Sequence, residues 1–432
     1  MEYINSMLDF ISASPSPFHR VENICRRLEN RGYTRLYEGE AWKLEKGGKY
    51  YTVRNLSSVI AFRRPAREDF SINIVASHCD SPTFKLKENP QVKQGVYISL
   101  NTERYGGMIM SSWLDRPLSV AGRVVVAENG ACVQKLVNVN RDLLVIPNVA
   151  IHMDRSVNDG KKFNPQTDML PLYSLNSEAD IMDEIARAAG CAKEDILGHD
   201  LYLYLRGKGC VFGAEEEFVS SAKLDDLQCV YSSMEGFLQR EDGDCMPVLA
   251  VFDNEEVGSG TKQGAASTFL FDTLERVCTG LFPHSQALRR ALSRSFMISA
   301  DNAHAVHPNR ASLADPTNRP VINGGVVIKY NANQKYTTDA VSAALFKSIV
   351  NSLGLKWQTF ANRSDMLGGS TLGNISNTKV PLDTVDIGLP QLAMHSAFET
   401  AGVKDTEDFV NICRRFFSIG VKKQGDDTFT IG

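Results

Sequence analysis

Pro247-Val-Leu-Ala-Val-Phe-Asp-Asn-Glu-Glu-Val-Gly-Ser-Gly-Thr-Lys-Gln-Gly264 couples an apolar run to an acidic turn. Val248 to Phe252 carry no polar side chain, the pattern of a strand covered on both faces; Asp253, Asn254, Glu255 and Glu256 follow where such a strand leaves its sheet. Gly258, Gly260 and Gly264 then free the backbone to turn. Adjacent glutamates at a strand end have two readings. If both face one pocket, one can ligate a cation while the other takes a proton from a bound water. Otherwise the pair is a charged turn that caps the strand, and partners elsewhere in the chain must decide.

Outward from this stretch the same pattern recurs. Residues 71–77 are nearly continuously apolar and end in His78-Cys79-Asp80-Ser81-Pro82, and residues 296–300 end in Asp301-Asn302-Ala303-His304. Helical periodicity opens the chain through Ile4, Met7, Leu8 and Ile11, and returns at Val21 to Leu28 and in 225–238, 271–281, 286–294, 338–353 and 406–421. Further strands are expected at 50–53, 59–62, 325–330, 356–361 and 380–386. The alternation predicts an α/β protein, a mixed sheet flanked by helices, with its chemistry at strand ends.

Between residues 90 and 217 the texture changes. Short strands are expected at 92–100, 118–127, 131–138, 148–152 and 201–212, with one helix at 177–189. This predicts an inserted β-rich domain, 90–217, interrupting a discontinuous domain formed by 1–89 and 218–432. Inside the insert, residues 155–168 are rich in Gly, Asn, Lys, Pro and Asp, the composition of a long functional or disordered loop.

Composition excludes several classes. A chain of 432 residues, 43% hydrophobic and 23% charged, is long enough for two or three domains and too apolar to be mainly disordered. Lys and Arg number 47 against 51 Asp and Glu, so no global basic field recruits nucleic acid or an anionic membrane. Nine scattered cysteines without a C-x-x-C pair fit a reducing compartment better than a disulfide framework. The N-terminus carries acids instead of a basic region, and no run of 18 apolar residues occurs, so the expected location is cytoplasmic.

His78, Asp80, Asp225, Glu255, Glu256, Asp301 and His395 stand at or near strand exits or helix starts. Alone, His395 is a surface imidazole and Asp225 a helix cap; together, carboxylates and imidazoles suit zinc or manganese. Asp80 is placed to accept the second N–H of His78 and fix its tautomer. Gly258 to Gly264 fits neither G-x-G-x-x-G nor the P-loop, no H-E-x-x-H occurs, and 368–373 does not spell G-x-S-x-G.

Ser-His-Cys-Asp-Ser-Pro (77–82), Lys-Leu-Asp-Asp-Leu (223–227), Asp-Asn-Glu-Glu-Val-Gly-Ser (253–259), Ser-Ala-Asp-Asn-Ala-His-Ala-Val-His-Pro-Asn (299–309) and Pro-Gln-Leu-Ala-Met-His-Ser (390–396) resemble, in this order, the aspartyl aminopeptidase family of co-catalytic zinc metallopeptidases. The resemblance implies a zinc-peptidase-like α/β domain interrupted by a β-rich oligomerisation domain, assembled into tetrahedral dodecamers whose sites face an enclosed chamber. It implies two divalent metal ions per subunit, zinc first, with cobalt or manganese suited to the same ligands. Asp225 would bridge them, His78 and Asp301 would bind one, and Glu256 and His395 the other. Glu255 would be the general base, Asp80 would orient His78, and His152 would reach a neighbouring subunit's site. Attack would come from a water held between cations ~3.5–4 Å apart, on peptides with a free N-terminus.

His304, Lys329 and Tyr336 match the family's substrate-contact positions; otherwise they read as a turn residue, a solvated strand residue and a core edge. Asn302 stands where the family often has methionine, and Met366 to Thr371 is similar to relatives preferring neutral N-terminal residues. Acidic and neutral specificity both stay open. The alternative to an aminopeptidase is a self-assembling shell or peptide-binding protein with a vestigial metal site.

Overall fold

The computed structural model describes residues 1–65, 70–243, 245–281, 286–425 and 427–431. Its centre is a nine-stranded mixed sheet, in spatial order Thr34–Leu36, Lys49–Arg54, Ser58–Arg63, Cys245–Phe252, Ser71–His78, Phe296–Ala300, Asp383–Gly388, Val326–Tyr330 and Trp357–Ala361. The apolar runs take the middle. Every residue of Cys245–Phe252, Ser71–His78 and Phe296–Ala300 is buried, because helices cover both faces.

Alternate side chains divide between two cores. Val75, Leu249, Val251 and Ile298 pack with the helices Glu2–Ser12, Pro17–Glu29, Leu224–Gln239, Ala340–Ser352 and Val403–Phe416. Ile74, Val248, Ala250 and Met297 pack with Phe269–Leu281, Ala287–Leu292 and Leu372–Ser376. Leu249 is 1% exposed, and its truncation to Ala removes about 2–5 kcal/mol of stability.

Register carries the ends of these strands to one place. Cys245–Phe252 pairs in parallel with Ser71–His78, Phe252 beside His78, and Phe296–Ala300 lies parallel on the other side with Ser299 beside Ala76. His78, the 253–256 turn and Asp301 therefore leave the sheet along a single edge. Lys223 brings the 224–239 helix there from the N-terminal helices, its Nζ donating to the carbonyls of Ile11 and Ser14 at 3.3 and 3.0 Å.

A six-stranded antiparallel sheet holds Ala131–Asn138, Leu118–Glu128, Ile196–Leu205, Thr83–Gln94, Tyr97–Tyr105 and Leu172–Ser174 in that order, over a separate apolar core. Its helix Ile181–Ala189 starts at Asp180, whose side chain accepts from the Met182 N–H, and ends at left-handed Gly190. A five-stranded sheet joins Cys210–Phe212 and Phe218–Ser221 to Glu399–Gly402, Pro390–Leu392 and Ala303–His304.

Four expected strands differ. Residues 92–100 belong to two strands, because the chain reverses at Gly95 with φ +63°. The 201–212 run breaks at 206–209. Residues 148–152 form no strand: after bridges at Leu144 to Ile146, Asp115 captures both the backbone and side-chain amides of Asn148, at 2.9 and 2.7 Å. The 380–386 strand runs instead as Asp383–Gly388. Among the described residues no helix is long and apolar enough to cross a membrane.

Candidate metal centre

The acidic turn is made by Asn254, whose φ of 63° swings the chain off the sheet so that Glu255 and Glu256 turn back over its edge. Asn254 Oδ1 accepts from Thr261 Oγ1 and Gln263 Nε2 at 2.8 and 2.7 Å, so the glycine-rich loop folds onto its own start and forms no phosphate cradle. Asp80, fully buried, braces the turn from below. Its Oδ1 accepts from the Glu255 N–H at 3.1 Å, and its Oδ2 accepts from the Glu256 N–H at 3.0 Å and from the Tyr105 hydroxyl at 2.8 Å. Asp80 Oδ1 also lies 3.4 Å from His78 Nδ1, the placement expected of an orienting carboxylate.

Asp225 decides the arrangement. Neither it nor Asp226 has helical backbone angles, so its side chain departs from the direction of the helix that follows. Asp225 Oδ1 is 3.4 Å from His78 Nε2, while Oδ2 is 3.5 Å from His395 Nε2. The two oxygens of one carboxylate thus face two imidazoles from different ends of the chain. Around them, Asp301 Oδ1 lies 3.7 Å from His78 Nε2, Glu256 Oε2 3.3 Å from His395 Nε2, and Glu255 Oε2 4.0 Å from His78 Nε2.

So many acids in one buried pocket repel each other. Burial, and then Asp225, push Glu256 well above the usual carboxylate range. Burial, opposed by His78 and reinforced by Asp301, Asp80 and Asp225, lifts Glu255 to about 8. Burial disfavours the charge of His78, yet Asp225, Asp301 and Asp80 hold it well above its ordinary value; burial likewise opposes His395, and Asp225 raises it. Burial would raise Asp225, but His395 and His78 hold it below its ordinary value. Asp225 Oδ1 and Glu256 Oε1 are buried without a hydrogen-bond partner. Divalent cations fit this donor set, since they neutralise the surplus charge and use the orphaned oxygens.

Two groups of donor atoms converge closely enough to hold an ion: His78, Asp225 and Glu256; and His78, Asp226 and Asp301. Asp226 was not singled out from sequence. It is fully buried, accepts from the His78 N–H at 3.2 Å, and burial pushes it well above the usual carboxylate range. Glu399 is a second omission: its Oε2 accepts from the Asp225 N–H at 2.9 Å and its Oε1 from the His395 N–H at 2.7 Å. Its spacing of four residues from His395 is the one sequence signal. Tyr105 is a third, and nothing local in the sequence marks it.

The centre opens into a cavity of ≈ 280 Å³ lined also by His304, Lys329, Tyr336, Phe360, Ser370 and Thr371. Lys329 is 3% exposed, so it is not a solvated strand residue; Asp301 Oδ2 lies 3.3 Å from its Nζ, and the Tyr336 ring centroid 5.6 Å. Tyr336 is buried against Phe360, and His304 stands exposed at the mouth. His152 is not in this cavity. It lies exposed in a turn of the 83–205 region, between exposed Ile151 and Met153.

A family model described as Aminopeptidase I zinc metalloprotease (M18) matches residues 10–417. The chain belongs to the M18 family. It is 46% identical over 431 residues to the probable M18 family aminopeptidase 2 of Clostridium acetobutylicum, covering 95% of this chain and 99% of that one. Its identity to the protein of the same description from Clostridium novyi is 44%, with 97% and 99% coverage. Among solved structures it resembles Ape4 in the cryo-EM structure of the Ape4 and Nbr1 complex, with a TM-score of 0.93, 36% identity and coverage of 96% and 85%. The Saccharomyces cerevisiae mApe1 dodecamer gives a TM-score of 0.85 at 26% identity, with 96% of each chain covered. This M18 protein is a metal-dependent aminopeptidase, and the vestigial shell has no support.

Proposed function

We propose that the protein removes N-terminal residues from peptides at a centre of two divalent ions, zinc in the first place, both of which Asp225 would help to hold. The single observation behind this is that the oxygens of Asp225 face different imidazoles, His78 and His395, at 3.4 and 3.5 Å. His78 and Asp301 would hold one ion, Glu256 and His395 the other. When bound, such ions polarise the scissile carbonyl and acidify a water.

The residues do the rest. Glu255, whose Oε2 lies 4.0 Å from His78 Nε2 and which would lose its own proton once cations offset the neighbouring acids, takes the proton of the attacking water and returns it to the leaving amine. Asp80 holds the Glu255 and Glu256 backbone in place and keeps His78 in one orientation. Tyr336 and Phe360 line the cavity beside the donor set and would pack against the N-terminal residue of a peptide. Lys329 already faces Asp301, so its charge is largely answered within the protein, and the apolar and hydroxyl walls favour neutral side chains at least as much as acidic ones. His304 contacts the substrate at the mouth.

The proposed assembly is a tetrahedral dodecamer, built through an insert spanning 90–217; the Saccharomyces cerevisiae mApe1 structure is a dodecamer. Val149 and Ile151, each 47% exposed, and Met153, 82% exposed, surround His152 and support its reaching a neighbouring copy. Nine free cysteines support a cytoplasmic setting. Zinc titration of metal-stripped protein should saturate at two ions per subunit; saturation at one ion removes Asp225 as a bridge. Leu-headed chromogenic peptides should be cleaved at rates comparable to Asp-headed ones, and strict preference for Asp would overturn the specificity reading.

A further inference from the structure

The opposite end of the central sheet has a cavity of its own. Ser58–Arg63 runs antiparallel to Cys245–Phe252, with Phe62 beside Val248, so Arg63 and Arg64 stand where the latter strand begins, far along it from Glu255. Arg240 follows the helix Leu224–Gln239 into the same corner. With Gly243, Cys245 and Phe417 these residues line a space of ≈ 110 Å³. A water molecule needs about 10–15 Å³ of such space, so a polyatomic ion fits.

Charge in this corner is unbalanced. Arg63 is satisfied, pairing with Asp242 and donating through Nε to the Gly47 carbonyl at 3.1 Å. Arg240 Nε and Nη2 and Arg64 Nε are buried with no hydrogen-bond partner among the described residues. A guanidinium cannot discharge by losing its proton, so these three nitrogens remain charged donors without an acceptor among the described residues. Glu241 lines the cavity too, yet among the described residues no carboxylate pairs with Arg64 or Arg240. The surplus reaches Lys49, held below its ordinary value by burial and then by Arg240, Arg63 and Arg31.

We propose that Arg64 and Arg240 bind a small tetrahedral oxyanion, either free or as the phosphoryl group of a small metabolite, and that this anion clips the corner where the strands Ser58–Arg63 and Cys245–Phe252 meet the ends of two helices. Forked guanidinium donors match this ligand class bidentately. It would act on subunit stability at a distance from the chemistry.

The test uses the metal-loaded enzyme at constant ionic strength, with chloride exchanged stepwise for sulfate or for glycerol 3-phosphate, and thermal unfolding as the readout. A saturable rise in Tm is expected. Arg240→Gln and the double variant Arg64→Gln/Arg240→Gln should weaken the apparent Kd about 10–100-fold, while keeping aminopeptidase activity and, in chloride, a Tm no lower than wild type. A response to sulfate alone assigns the free ion; a response to both extends the site to phosphomonoesters. An equal rise in wild type and both variants is general salt stabilisation, and it overturns the site. So does no rise at all, or a large loss of Tm in chloride for Arg240→Gln, which would show that Arg240 is already paired.

Discussion

At one end of the central sheet, Asp225, Glu255, Glu256 and Asp301 crowd around two imidazoles; at the other, Arg64 and Arg240 share a cavity. Both ends bury like charges, but the supporting structure differs. At the acidic end Asp80 accepts three hydrogen bonds and Glu399 two, each from a residue next to or within the donor set. At the basic end the recorded support for the Arg240 guanidinium is the Phe237 ring at 5.4 Å. Surplus charge with rigid bracing suits an ion whose position governs a reaction; surplus charge without it suits a replaceable counter-ion.

Four experiments separate the two ends. The largest effect belongs to Glu255→Gln, expected to lower kcat by about 10²–10⁴-fold with metal content and assembly unchanged; near-wild-type turnover in the loaded variant would remove Glu255 as the base. Next is pH. In metal-free protein Glu255 titrates near 8, and Glu256, His78 and His395 are all shifted toward their protonated forms, so a cation binding there competes with protons. Metal affinity therefore falls as pH falls, by about tenfold per unit for each proton released, measurable with a buffered chelator between pH 8 and 6. A flat profile would contradict the coupling.

Glu399→Gln replaces one acceptor by an NH₂ that faces a backbone N–H. Metal affinity should weaken about 10–100-fold, with a smaller change in KM; unchanged metal binding would reduce Glu399 to a structural acid. The smallest effect is at the other end. Arg64→Gln in chloride should shift unfolding by less than about 0.5 kcal/mol, because among the described residues no carboxylate pairs with Arg64. If this change were as damaging as Glu399→Gln, the contrast between braced and unbraced charge would fail.

What the sequence revealed follows the same division. Val248 to Phe252 and Ile72 to Ala76 are apolar without interruption because both faces are covered, and parallel pairing carries their exits together, so His78, Asp225, Glu255, Glu256, Asp301 and His395 were legible as strand-end and motif residues. Asp226, Glu399 and Tyr105 were not. They act through bonds to residues far away in the chain, up to 174 positions for Glu399 and Asp225, and beyond the four-residue spacing of Glu399 from His395 no local pattern records such a partnership. Arg64 and Arg240 belong to no sequence motif, and it is β pairing and helix packing that bring them to one cavity. The turn at 148–152 was missed for a related reason: a side chain 33 positions away took the amide a strand would have used.

Tyr105 lies at the end of Tyr97–Tyr105, a strand of the six-stranded sheet, yet its hydroxyl donates to Asp80; the next residue, Gly106, allows a backbone approach in which an added Cβ would meet the Glu256 Cβ at 3.1 Å; and the Ile109 N–H donates to the His395 carbonyl at 3.0 Å. The β-rich region and the peptidase are therefore one machine at this seam. An engineer who trimmed residues 83–205 to obtain a minimal enzyme would cut away part of the floor on which its ligands stand.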